Sequence, residues 1–234
     1  MQTTARDIVI DDRLVVTVRP VPPGPWPGVV MLHEAFGIDD VLRRQADRLA
    51  SAGYVVFAPD LLGQGLRIRC IKALASSLIS QSGRPFEVVE AVRQHLLADP
   101  GSTDRAGVIG FCMGGGFALV LAARGFDASA VNYGMVPEDL DAVLEGACPI
   151  VASYGGRDKM LAREMPRLQA GLTEHQVPHD LEIYPDAGHS FMNDAVVGPA
   201  VLHPLMKIAH LGPEPVAAAG AWRRIEDFFG VHLS

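Results

Sequence analysis

The chain has 234 residues, 49% of them hydrophobic, with a net charge of -7 and three cysteines. That length and apolar content suit a single α/β domain spanning residues 1–234 with a sizeable core, and the acidic balance leaves no basic footprint for nucleic acid or an anionic membrane surface. Cys70, Cys112 and Cys148 are odd in number and widely spaced, which suggests neither a disulfide framework nor a CxxC metal site.

Met1 to Asp12 lacks a basic stretch followed by an apolar one, so a soluble, unexported, cytoplasmic protein with reduced thiols is expected. Residues Ile8–Val18 alternate imperfectly and are expected to add an edge hairpin strand. Short apolar runs then recur at Val29–Leu32, Tyr54–Ala58, Ala106–Ile109, Ala130–Tyr133, Pro149–Tyr154 and Asp180–Tyr184, as expected of fully buried strands. Amphipathic stretches lie between or after them, at Asp39–Ser51, Pro85–Ala98, Met113–Ala123, Lys159–Gln176 and Val216–Phe229. Strand and helix alternate, which predicts an α/β fold with a mostly parallel central sheet and helices on both faces. Two segments break the pattern: 61–82, with only a possible helix, and 193–215, rich in Pro, Gly and His. Both follow strand ends on the side where open α/β sheets bind ligands, which makes them candidate pocket walls or a lid as well as plain connections.

The run Gly107-Val108-Ile109-Gly110-Phe111-Cys112-Met113-Gly114-Gly115-Gly116 takes an apolar strand directly into a helix-forming segment with a cysteine at the junction. Most free cysteines are simply buried. Here, however, Gly110 and Gly114 stand two positions away on each side, as a nucleophile elbow requires if the bend is not to clash. A nucleophilic thiol needs a base and the base an orienting group. Asp158 follows the strand Pro149–Tyr154, and His189 follows the strand Asp180–Tyr184. Cys112, Asp158, His189 is the nucleophile, acid, base order of α/β-hydrolases. Each partner has a plainer reading: Asp158 could cap the helix that starts at Lys159, and His189 could be a loop histidine. Asp186 is a rival acid, but it shares the loop of His189 and has no separate strand to aim it.

Acyl transfer also needs donors for the developing oxyanion. The Met113 N–H is one candidate, and the Ala35 N–H, in the loop His33-Glu34-Ala35-Phe36-Gly37 after Val29–Leu32, is the other. His33-Glu34 is not half of an HExxH zinc motif, because position 37 is Gly, so no metal is expected there. Glu34 is either a solvated loop carboxylate or a partner of the resting site.

The segments His33-Glu34-Ala35-Phe36-Gly37, Ala58-Pro59-Asp60-Leu61, Gly110-Phe111-Cys112-Met113-Gly114-Gly115, Tyr154-Gly155-Gly156-Arg157-Asp158 and Ala187-Gly188-His189-Ser190-Phe191 resemble the dienelactone hydrolase family of α/β-hydrolases over nearly the whole chain. The resemblance implies a Cys112, His189, Asp158 triad that hydrolyses an ester or lactone through a thioester, with Glu34 as the partner of the resting thiol. It also implies an arginine four residues after the histidine for acidic lactones, where this chain has Asn193. Arg67 or Arg69 could supply another carboxylate contact, and Phe36 is a further candidate substrate contact. The expected function is therefore a carboxylic ester or lactone hydrolase acting on a small molecule, without cofactor. The alternative is a hydrolase-fold ligand-binding or redox-sensing protein with little esterase turnover. Nucleotide binding is set aside, because the run from Gly110 to Gly116 follows a middle strand and does not read G-x-G-x-x-G.

Overall fold

A computed structural model describes residues 1–196 and 211–234. The chain opens with an antiparallel hairpin, β1 (Thr3–Ile10) and β2 (Arg13–Pro20), turned by Asp11 and Asp12 at φ 51° and 65°. Two consecutive residues with positive φ give a turn whose twist matches the strands it joins. There follow β3 (Trp26–Leu32), α1 (Asp40–Ser51), β4 (Val55–Pro59), α2 (Arg67–Ser80), α3 (Arg84–Leu97), β5 (Ser102–Phe111), α4 (Met113–Leu121) and β6 (Ala128–Asn132). The remaining described elements are α5 (Leu140–Leu144), β7 (Ile150–Gly155), α6 (Lys159–Ala162), α7 (Met165–Glu174), β8 (His179–Tyr184) and α8 (Pro215–His232).

The strands form one sheet in the order β1-β2-β4-β3-β5-β6-β7-β8, parallel from β4 to β8. Two glycines show how closely helices cover both faces. Gly28 on β3 pairs in register with Ala106 on β5, and a Cβ on Gly28 would fall 2.7 Å from the Leu96 side chain of α3. The next pair along is Val29 and Gly107, where a Cβ on Gly107 would fall 2.7 Å from Leu233, just beyond α8. Adjacent residues of a strand point to opposite faces, so α3 and α8 lie on opposite sides of the sheet. Phe86 of α3 packs on Phe117 of α4, and Arg48 of α1 reaches Glu226 of α8, which extends each layer. Among the described residues no helix is long and apolar enough to cross a membrane.

The structure corrects the expected elements in three places. Segment 61–82 holds a full fourteen-residue helix, α2, of which only Leu74 and Leu78 are buried, so its apolar stripe is too narrow to stand out in the sequence. The single helix expected over Lys159–Gln176 is two, α6 and α7, separated at Arg163 and Glu164, with Pro166 in the first turn of α7. The run Asp180–Tyr184 lies in an edge strand and is half-exposed, where full burial was expected. Most of the segment 193–215, namely 197–210, lies outside the described residues.

Candidate active site

The site is built at the carboxyl ends of β3, β5, β6, β7 and β8. Cys112 follows β5 directly, at φ 54° and ψ -114°, a conformation that non-glycine residues adopt only when the surroundings enforce it. The glycines on either side leave room for the bend. A Cβ on Gly110 would fall 1.9 Å from the Gly114 carbonyl oxygen, and one on Gly114 would fall 2.4 Å from that of Leu32. Asn132, fully buried at the end of β6, clamps the bend from beside it: its backbone oxygen accepts the Cys112 N–H at 3.1 Å, and its side-chain amide donates to the Gly110 oxygen at 3.1 Å.

Asp158 follows β7 and makes two contacts with its carboxylate. One carboxylate oxygen accepts the Leu161 N–H at 3.3 Å, capping α6, and the other lies 2.7 Å from His189 Nδ1. Two backbone bonds tie the Asp158 loop to the His189 loop, Gly156 N–H to the Tyr184 oxygen at 2.8 Å and Arg157 N–H to the Ala187 oxygen at 2.9 Å. Asp186, the rival acid, is exposed and pairs with Arg157 at 2.9 Å. Burial pushes the Asp158 pKa up, but the His189 hydrogen bond and charge outweigh it and hold the carboxyl below its usual range. Burial likewise pushes His189 down, and its bonds to Asp158 and Cys112 more than reverse this, raising it to about 10. With Nδ1 taken by Asp158, Nε2 is the nitrogen left for Cys112.

The loop after β3 is held by His33. Its Nε2 accepts the Leu61 N–H at 2.9 Å, so the ring proton sits on Nδ1, which donates to the Glu34 oxygen at 2.5 Å. Burial lowers the pKa of His33, which keeps it a neutral strut between the β3 and β4 loops. That strut presents Ala35 and Glu34. Among the described residues, the N–H groups of Ala35 and Met113 donate to no other backbone group. For Met113 this follows from its place at the start of α4.

Glu34 accepts the Asn193 side-chain amide at 3.1 Å, and Gln45 donates in turn to the Asn193 oxygen at 3.2 Å. Burial raises the pKa of Glu34 against the opposing pull of Ser190, His189 and Asn193. Tyr133, fully buried, stands edge-on to the His189 ring at 5.2 Å between centroids. Its hydroxyl lies beside Glu34 but meets no partner at full hydrogen-bond geometry among the described residues, and burial, with the charges of Glu34 and Cys112, holds it well above the ordinary phenol range.

Cys112, Met113, Tyr133, Asp158 and His189 open onto one cavity of about 670 Å³. Among the described residues, no cluster of three or more His, Cys, Asp or Glu side chains is arranged to hold a metal ion.

The sequence pattern described as "Dienelactone hydrolase family" matches residues 14–233. The chain belongs to the dienelactone hydrolase family. A curated Bradyrhizobium relative, described as "Probable 2-oxo-3-(5-oxofuran-2-ylidene)propanoate lactonase", is 30% identical over 251 aligned positions, covering 95% of this chain and 91% of its own. Among solved structures, the dienelactone hydrolase-like promiscuous phosphotriesterase P91 from metagenomic libraries superposes with a TM-score of 0.84 at 23% identity, over 99% of both chains. The dienelactone hydrolase of Anabaena variabilis superposes at 0.69 with 20% identity, over 100% of this chain and 99% of its own. At these identities the two structures establish the fold alone. As a dienelactone hydrolase family member, the protein is a carboxylic ester or lactone hydrolase.

The candidate substrate contacts of this family member fall in different places. Arg67 donates to the Phe36 oxygen, and the two residues line a separate cavity of about 300 Å³ with Asp60. Arg69 lines another of about 450 Å³ with Arg13 and Cys70. Neither arginine lines the cavity of Cys112. Asn193 is buried against Glu34. Tyr133, Asn132, Gln45 and Ser190 join the site without having been singled out from the sequence. Tyr133 alone carried a signal, since it ends an apolar run and precedes Gly134, at the strand end where α/β sheets place functional residues.

Proposed function

We propose that this hydrolase cleaves its substrate through Cys112, with His189 as proton carrier and Asp158 as the group that orients it. The observation that carries the proposal is the 2.7 Å contact between Asp158 and His189 Nδ1 at the mouth of the cavity onto which Cys112 opens. The Cys112 thiol gives its proton to His189 Nε2, the thiolate attacks the carbonyl carbon, and the N–H groups of Met113 and Ala35 receive the developing oxyanion. Collapse breaks the C–O bond, the leaving oxygen takes the His189 proton, and a thioester remains on Cys112. His189 Nε2 then takes a proton from water, the hydroxide attacks the thioester, and the C–S bond breaks to give the carboxylate and the resting sulfur. No step requires a cofactor.

Glu34 serves in this scheme as the partner of the resting thiol, which shields it from oxidation between turnovers. The lactone part of the substrate class is supported by the printed description of the Bradyrhizobium relative. The substrate is a small molecule, with no role for nucleic acid or membrane. Location in the cytoplasm is supported by three cysteines that are all unpaired.

A panel of activated esters and lactones run with the parent and C112A tests the proposal. Turnover that C112A abolishes is expected. Equal turnover by C112A would overturn it, and selective alkylation of Cys112 with no turnover of any ester would favour the ligand-binding or redox-sensing alternative.

A further inference from the structure

The walls of the cavity at Cys112 are apolar: Leu78 and Ile79 from α2, Met135 after β6, Met160 and Leu161 from α6, and Leu211. Three of these remain widely exposed, Ile79 at 73%, Met160 at 79% and Met135 at 41%. Large apolar side chains from three separate segments therefore converge in solvent around one opening, and because that opening leads into the cavity at Cys112 it suits an apolar ligand. Two cations also line the cavity. Arg157 is already paired with Asp186 at 2.9 Å, and both Arg157 and Lys159 are exposed to solvent.

We propose that the substrate is an uncharged ester or lactone whose apolar portion, several carbons long, lies against Leu78, Ile79, Met135 and Met160 while its carbonyl meets Cys112. The inference rests on the hydrolase reading above and names the substrate class for that site. A cavity of about 670 Å³ falls within the ~300–1,000 Å³ of small-molecule sites. A carboxylate at the far end of such a substrate would lose its hydration among apolar side chains, with both lining cations held in water at the rim. Each buried methylene contributes the equivalent of roughly fourfold in kcat/KM.

The test is kcat/KM for p-nitrophenyl esters of unbranched acids from acetate to octanoate, beside esters of equal length ending in a carboxylate. The slope expected is roughly fourfold per methylene until the cavity is filled, with the carboxylate-ended esters slower by about tenfold or more than their uncharged counterparts. I79E and M160E, which alter exposed positions and so leave folding intact, are expected to flatten the slope. Turnover that depends on Cys112 but is indifferent to chain length, or that prefers the carboxylate-ended esters, would overturn this inference and leave the hydrolase reading standing. Absence of any Cys112-dependent turnover would overturn both.

Discussion

Asp158 and Glu34 are both carboxylates within the electrostatic reach of His189, yet the fold treats them oppositely. Asp158 has a cationic partner at 2.7 Å and a capping N–H, so its charge is favoured in spite of burial. Glu34 accepts the Asn193 amide that Gln45 steadies, and burial raises its pKa against the opposing pull of Ser190, His189 and Asn193. One carboxylate favours charge on His189, while burial disfavours charge on the other. Pairs of titratable groups driven apart in this way commonly divide the labour of a site.

Neutralising each carboxylate in turn separates their contributions. D158N is expected to lower kcat by about 10³–10⁴, the size seen when a base loses the anion that fixes its tautomer. E34Q, which keeps the shape of the side chain, should cost less than about 10² in the same ester assay, below the range of a lost acid–base group, because Glu34 carries no proton in the turnover. Equal losses would erase the distinction.

Stability against pH sharpens it further. The folded pKa of His189 is raised to about 10, so its contribution is complete below the ordinary value of 6.5 and is lost as pH rises toward 10. Asp158, held low, contributes above its ordinary 3.8 and loses that as pH falls. Glu34 has the opposite sign: its folded pKa is raised, so the folded state binds the extra proton and stability falls as pH rises above 4.5. In thermal melts, H189Q should therefore be most destabilised between about pH 4 and 6.5, and E34Q should match the parent near pH 4 and exceed it increasingly toward pH 8. An E34Q protein that is less stable than the parent at pH 8 would show that the Glu34 charge is accommodated after all.

The parts of this arrangement that were legible in the sequence are those carried by short-range rules. Gly110 and Gly114 around Cys112 announce the bend, because the clash that they avoid is local. Strand ends place Asp158 and His189, because a parallel sheet sends every such end to the same side. What was not legible depends on contacts between distant segments. Gln45 meets Asn193 across 148 residues, and nothing near Gln45 distinguishes it from another amphipathic helix position. Asn132 clamps the elbow only because β6 lies beside β5. α2 was legible only as a possible helix because just two of its side chains are buried and Leu66 offers no side-chain cap at its start. The cysteines divide on the same principle. Burial pushes the Cys148 thiol up to about 12, which keeps it protonated and inert, and Cys70 lines a cavity without His189.

In the proposed reaction the acyl group passes through the sulfur of Cys112. Acid quenching during turnover of an activated ester, followed by mass spectrometry of the proteolysed chain, tests it most directly. A mass increase equal to the acyl group is expected on the peptide containing Cys112, absent from the Cys70 and Cys148 peptides and absent in C112A. An acyl group found on another residue, with turnover retained in C112A, would contradict it.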